Sequence, residues 1–146
     1  GLAIATVCDF RIATAESKFG VPIARTLGNC LSPANVARLV SAFGRPRVQR
    51  LLLLAELIGA DEGLASGYLS AVVPADAIEA ETARLCSRLA ALAPVTQQVS
   101  KATLARLAQR ELPDAEDLIR RCYGSEGFRE GVQAFVGKRP PQWRGR

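Results

Sequence analysis

From Leu2 to Val7 the chain is almost continuously small and apolar, and Phe10 to Thr14 resumes the run beyond Asp9. An apolar stretch this short predicts a strand buried on both faces, so the two segments read as a central strand pair. Ser17 to Val21 predicts another short extended piece, closed by Gly20 and Pro22, because proline fixes its own φ and biases its predecessor away from helix. A loop is expected from there to Ser32.

Beyond Ser32 the period becomes helical. Ser32-Pro33 is a helix entry, with serine as the cap and proline in the first turn, followed by Val36, Leu39, Val40 and Phe43 at helical spacing and by Gly44 as a stop. Arg45 to Leu57 predicts a second helix with Val48, Leu51, Leu52 and Ala55 inward. Gly59 to Gly67 reads as a short helix, with Glu62 three residues after a capping glycine, and Tyr68 to Val73 as a strand. The remainder is predicted helical: Ala75 to Ala93, with Ile78, Ala83, Leu85, Leu89 and Leu92 inward; Pro94 to about Gln109; Pro113-Asp114 to Tyr123; and a last helix capped by Ser125 and ending near Gly137. No repeat, low-complexity linker or composition shift divides the chain. Residues 1–146 therefore read as one α/β unit, a few buried strands in 1–74 followed by a helical region in 75–146.

Composition sharpens this picture. The chain has 146 residues, and a hydrophobic fraction of 49% is ample for a core. It contains no run of eighteen apolar residues, so no membrane span and a cytoplasmic location are expected. Histidine is absent, which excludes a Ser-His-Asp triad, a Cys-His pair and most zinc sites. The net charge is +5, but Lys138, Arg139, Arg144 and Arg146 supply four of the nineteen basic groups, so the basicity belongs to the tail. With one aromatic, Trp143, and no recognisable module, that tail does not predict a nucleic-acid partner. Cys8, Cys30, Cys86 and Cys122 lack paired spacing and read as small thiols in apolar surroundings, with no disulfide or metal expected.

An ordered set of motifs then narrows the fold. The segment ending in Cys8-Asp9, the Phe19-Gly20-Val21-Pro22 turn, Gly28, Arg38-Leu39 and the closing Phe135-Val136-Gly137-Lys138-Arg139-Pro140 together resemble the crotonase superfamily, the enoyl-CoA hydratase/isomerase family. The resemblance covers nearly the whole sequence and implies the C-terminal half of the family's spiral fold. Residues 1–74 would belong to its core, and residues 75–146 to a helical oligomerisation region that implies a homotrimer or a hexamer. Most strands, one oxyanion-hole donor and most of the CoA-binding loop would lie in the other half.

The chemistry that the resemblance implies is binding of an acyl-CoA thioester, with coenzyme A as part of the substrate and no covalently bound cofactor. Backbone N–H groups, one at or next to Gly1, would stabilise the thioester enolate. Hydratases of the family carry two glutamates, and the matching positions here are Ala3 and Ile23, neither of which can move a proton. Arg25, placed to hold an acyl carboxylate or a leaving group, and Asn29, placed to orient water, are the catalytic candidates alongside Gly1. Lys138 would approach a CoA phosphate, and Phe135 would line the acyl or adenine pocket. Asp9 is implied to hold neighbouring backbone rather than to catalyse. The expected function is an enoyl-CoA hydratase/isomerase-like enzyme with an atypical site; the alternative is a non-catalytic CoA-thioester-binding or assembly subunit.

Overall fold

The computed structural model describes residues 1–108 and 116–143. Its first element is a helix, α1 (Leu2–Val7), in place of the predicted buried strand. Ala5 N donates to the Gly1 carbonyl at 3.0 Å, and the Thr6 hydroxyl donates to the Leu2 carbonyl at 2.8 Å. Leu-Ala-Ile-Ala has strong helix formers, and Ile4 is 72% exposed, so the two-sided burial that would have required a strand is not present.

Two small sheets follow instead of a central pair. In the first, β1 (Ile12–Ala13) runs parallel to β4 (Ala71–Val72), with Ile12 opposite Ala71. In the second, β2 (Lys18–Gly20) runs antiparallel to β3 (Leu57–Gly59), with Phe19 opposite Ile58. A Cβ on Gly20 would stand 2.3 Å from Leu57 Cδ2 and 3.0 Å from the Glu56 carbonyl oxygen. A side chain there would press on the Leu57 side chain and crowd the Glu56 carbonyl, so glycine suits this close strand pair.

Helix α2 (Pro33–Phe43) begins as predicted, its Ser32 side chain accepting from Asn35 N, and it buries Leu39 and Phe43. Helix α3 (Arg45–Leu53) buries Val48 and Leu51 but stops before the predicted Leu57. Ala55 adopts φ 51°, and both Leu54 N and Glu56 N donate to the Arg50 carbonyl, which turns the chain into β3. A left-handed alanine carries no helical-period signature, so the pattern could not mark this turn. Gly59 and Gly67 bracket α4 (Ala60–Ala65), as expected; Gly67 has φ 75°.

Of the predicted strand from Tyr68 to Val73, only Ala71 and Val72 pair. Tyr68 turns into the core instead, stacked on Phe43 with centroids 4.1 Å apart and edge-on to Phe19 at 5.4 Å. Around these rings pack Ala13, Leu39, Val48, Leu51, Ile58, Ala60 and Leu69.

The long helix predicted from Ala75 resolves into a 3₁₀ turn (Ala75–Ala77) and α5 (Ile78–Ala90). Ile78, Leu85 and Leu89 are half-buried, whereas Ala83 and Leu92, expected inward, are exposed. Helix α6 (Pro94–Ala108) has no fully buried residue. It is tied to α5 by Gln97 Nε2 donating to the Leu89 carbonyl, and to the end of α1 by a Lys101–Asp9 ion pair. Asp9 thus meets an ammonium group rather than the backbone. The predicted helix start at Pro113-Asp114 lies outside the described residues; within them run α7 (Glu116–Gly124) and α8 (Glu126–Val136). Ser125 joins the last two, accepting from Phe128 N at 3.0 Å and donating to the Cys122 carbonyl at 2.7 Å. Among the described residues no helix is long and apolar enough to cross a membrane.

Candidate functional site

Helix α1, the segment after β2 and helix α2 converge on a cavity of about 290 Å³. Each wall has a local cause. Gly1 caps α1, whose other end is fastened by Arg11: its Nη1 donates to the Ala5 and Cys8 carbonyls, and its Nε to the Tyr68 carbonyl. The guanidinium also sits over the Tyr68 ring, 4.5 Å from the centroid. A cation among the last carbonyls of a helix is favourable to its dipole.

The second wall is the 3₁₀ turn Pro22–Ala24, in which Leu27 N and Gly28 N both donate to the Ile23 carbonyl, the latter at 2.8 Å. Gly28 has φ 64°, and a Cβ there would lie 3.1 Å from both the Gly127 carbonyl oxygen and Trp143 Cζ3. The loop is therefore pressed from behind by α8 and the segment that follows it. The third wall is α2, which presents Asn35, Arg38 and Leu39.

Gly1, Ala3 and Ile23 all line this cavity. The two positions matched to the hydratase glutamates thus share one wall-to-wall space, filled by a methyl and an isobutyl-sized group. Among the described residues Arg38 is the only charged side chain in the lining, and none of those lining residues is acidic. Arg38 Nη1 donates to Asn35 Oδ1 at 3.2 Å, and the Thr6 hydroxyl is already committed to Leu2.

The other candidates stand apart from this cavity. Arg25 is exposed at the C-cap of the 3₁₀ turn and is not in the lining. Asn29 is half-buried outside the lining, its Oδ1 buried with no hydrogen-bond partner among the described residues. Next to it, Cys30 meets Cys122, whose thiol also donates to the Gly28 carbonyl at 3.3 Å. Burial, and then the contact with Cys30, push the Cys122 thiol up to about 11, which leaves it protonated and a poor nucleophile near neutrality. Phe135 is 70% exposed and Lys138 adopts φ 50° just beyond α8. Neither belongs to the cavity described above, nor to a more polar cavity of about 450 Å³ formed by Arg129, Glu130, Gln133, Arg139 and Gln142.

Sequence reasoning missed Asn35 and Arg38 as site residues. Arg38 was read only as half of an Arg-Leu motif. The available signal was the spacing, since residues three apart on a helix share a face.

The whole chain, residues 1–146, matches the family model described as enoyl-CoA hydratase/isomerase. Among curated relatives, a mitochondrial enoyl-CoA hydratase domain-containing protein 3 of Mus musculus is 30% identical over 98% of this chain and 48% of its own length. A 2,3-dehydroadipyl-CoA hydratase of Escherichia coli is 29% identical over 100% of this chain and 58% of its own. Among solved structures, a methylmalonyl-CoA decarboxylase in complex with 2-nitronate-propionyl-CoA superposes with a TM-score of 0.90 at 26% identity, covering 99% of this chain and 58% of that one. The chain spans about half the length of the curated relatives it matches. This coverage carries the extent of the match, and not the expected assignment to the C-terminal half of the family fold. What the fold, the shared motifs and a match over every residue establish together is that this chain belongs to the enoyl-CoA hydratase/isomerase family, also called the crotonases.

Proposed function

We propose that this chain binds an acyl-CoA thioester in the cavity between α1 and α2 and stabilises the thioester enolate without the two-glutamate water chemistry of hydratases. The observation that supports this reading is the convergence of Gly1, Ala3 and Ile23 on one cavity that, among the described residues, no carboxylate lines. Acyl-CoA chemistry at such a site rests on backbone donors, each worth about 3 kcal/mol at a developing oxyanion. Proton transfer by side chains, worth roughly 10²–10⁴-fold, is what the site lacks. Solved structures of the similar methylmalonyl-CoA decarboxylase hold CoA derivatives, which also supports a CoA ligand here.

A non-catalytic, CoA-thioester-binding subunit is the second reading, and it is favoured by the same lack of a carboxylate in the lining among the described residues. The proposal extends to a homotrimer or hexamer in the cytoplasm. The exposed apolar residues Val95, Val99, Leu104 and Leu107 on α6 support subunit contact.

The test is to restore the carboxylates. An Ala3→Glu, Ile23→Glu double variant is expected to hydrate crotonyl-CoA where the parent protein does not. A folded double variant that binds butyryl-CoA but stays silent would favour the non-catalytic reading, and absence of any acyl-CoA binding in calorimetry would overturn both.

A further inference from the structure

The two half-buried cysteines of this chain are neighbours in space. Cys30 lies in the loop between the 3₁₀ turn and α2, Cys122 stands near the end of α7, and their thiols meet. Cys122 Sγ also donates to the Gly28 carbonyl at 3.3 Å, across a sequence separation of 94 residues. Two further close approaches hold the same loop on the helices behind it: Gly28 against Gly127 and Trp143, and Gly131 against the Leu27 backbone. The thiol pair thus belongs to a packed seam between the segment from Leu27 to Cys30 and the α7–α8 pair.

A metal shared by two thiols would need further ligands, and among the described residues no third Cys, His, Asp or Glu gathers with them. What remains open to adjacent thiols is to join. We propose that Cys30 and Cys122 are a redox site, which a low-molecular-weight disulfide such as oxidised glutathione converts to a reversible intrachain disulfide that fastens the cavity wall to α7.

The chemistry is a double exchange. Cys30 loses its proton to solvent and its thiolate attacks one sulfur of the small disulfide; that S–S bond breaks, and the first glutathione leaves and takes up a proton. Cys122 then gives up its proton and attacks the Cys30 sulfur, expelling the second glutathione, which is protonated in turn. The two protein sulfurs lose two electrons and the small disulfide gains them. Cys30 attacks first because burial keeps Cys122 protonated.

The consequence falls on the cavity. Leu31, next to Cys30, lines it, and Ser32 caps the helix that presents Asn35 and Leu39 to it. In the reduced protein one thiol–carbonyl contact and the packing of glycines hold this loop to the helices behind it. The disulfide makes the attachment covalent and stiffens the wall.

The test equilibrates the protein with oxidised glutathione or with dithiothreitol, caps the free thiols and maps tryptic peptides without reduction. Peptides 26–38 and 122–129 are expected as a linked pair in the oxidised sample, and dithiothreitol should release them. The oxidised protein should unfold about 5 °C or more above the reduced one, because a cross-link between distant positions restrains the unfolded chain. The amides of residues 29–31 should exchange about tenfold or more slowly.

Cys30→Ser and Cys122→Ala should each abolish all three effects, and the peptide map of the parent protein decides even if neither variant folds. Recovery of Cys30 and Cys122 as free thiols, as glutathione adducts only, or linked to Cys8 or Cys86 would overturn the proposal. So would a 30–122 link that leaves the unfolding temperature unchanged or lower, since the native geometry would then not suit the bond. A link without slower exchange at residues 29–31 would overturn the fastening of the wall.

Discussion

Gly131 lies against the Leu27 backbone so closely that a Cβ at position 131 would stand 2.2 Å from the Leu27 carbonyl oxygen. This contact joins α8 to the loop that shapes the Ile23 wall of the cavity, since Leu27 N donates to the Ile23 carbonyl. The atom in the way is backbone, so it has no rotamer to change. Gly131→Ala is expected to destabilise the fold by about 1–3 kcal/mol through overpacking, read as a lower urea midpoint at unchanged slope. Gly124, where a Cβ meets nothing within 4 Å, is the control: its alanine variant should be neutral or slightly more stable. Similar midpoints for the two variants would remove Gly131 from the loop's support.

Tyr68 is buried in the core, and its hydroxyl has no hydrogen-bond partner among the described residues. Tyr68→Phe should therefore preserve stability or raise it by about 1 kcal/mol, because the unsatisfied oxygen disappears and the ring contacts with Phe43 and Phe19 remain. Tyr68→Ala should cost about 3–5 kcal/mol, the usual range for emptying an aromatic site. Thermal and chemical unfolding of both variants would check this; a loss of more than about 1 kcal/mol in the phenylalanine variant would mean that the hydroxyl is bonded.

Ser125 serves two helices at once, accepting from Phe128 N in α8 and donating to the Cys122 carbonyl in α7. Replacing it by alanine should cost about 0.5–2 kcal/mol, with threonine recovering most of it. Hydrogen exchange should show faster amide exchange at Phe128 in the alanine variant, an effect that uniform destabilisation would not confine to this turn.

Cys122 should resist alkylation. Its thiol is raised from near 9 to about 11, and the thiolate is the reactive form. Brief iodoacetamide treatment at pH 8 should label the exposed Cys8 and Cys86 and spare Cys122, as mass spectrometry of the peptides would show. The same shift has a sign for stability. The folded state disfavours the thiolate, so the contribution is complete below pH 9 and is lost as pH rises through about 11. A Cys122→Ala variant should lack that part of the alkaline decline; early labelling of Cys122 would contradict the burial argument.

The periodicity of the chain made the helical elements legible, and its punctuation made their ends legible. Ser32 and Ser125 cap the helices they were expected to cap, because a cap is a local arrangement of one side chain and one backbone amide. Leu2 to Val7 misled because an uninterrupted apolar run has no period, and the choice between helix and strand depended on what would cover it. The end of α3 was hidden for another reason, since the left-handed Ala55 is held by the surrounding core rather than by its own preference.

At the site, Ala3 and Ile23, singled out by their place in the motifs, both line one cavity. The motifs named Arg38 without pointing to the cavity, and did not mark Asn35, yet both line it. A motif names residues by their order along the chain, whereas membership of a cavity wall depends on which helix face the packing of α1 on α2 turns inward.

Arg11 gives the fold a mechanical consequence. It grips the carbonyls at the end of α1 with one part of its guanidinium and the Tyr68 carbonyl with another, and it is not among the residues that line the cavity. Arg11 is therefore one strut through which the core sets the tilt of the wall that bears Gly1 and Ala3, beside the packing of Leu2 on the core. A screen of variants scored on ligand affinity alone would recover Arg11, a residue out of reach of any ligand in that cavity, and would mistake a bracket for a binding group.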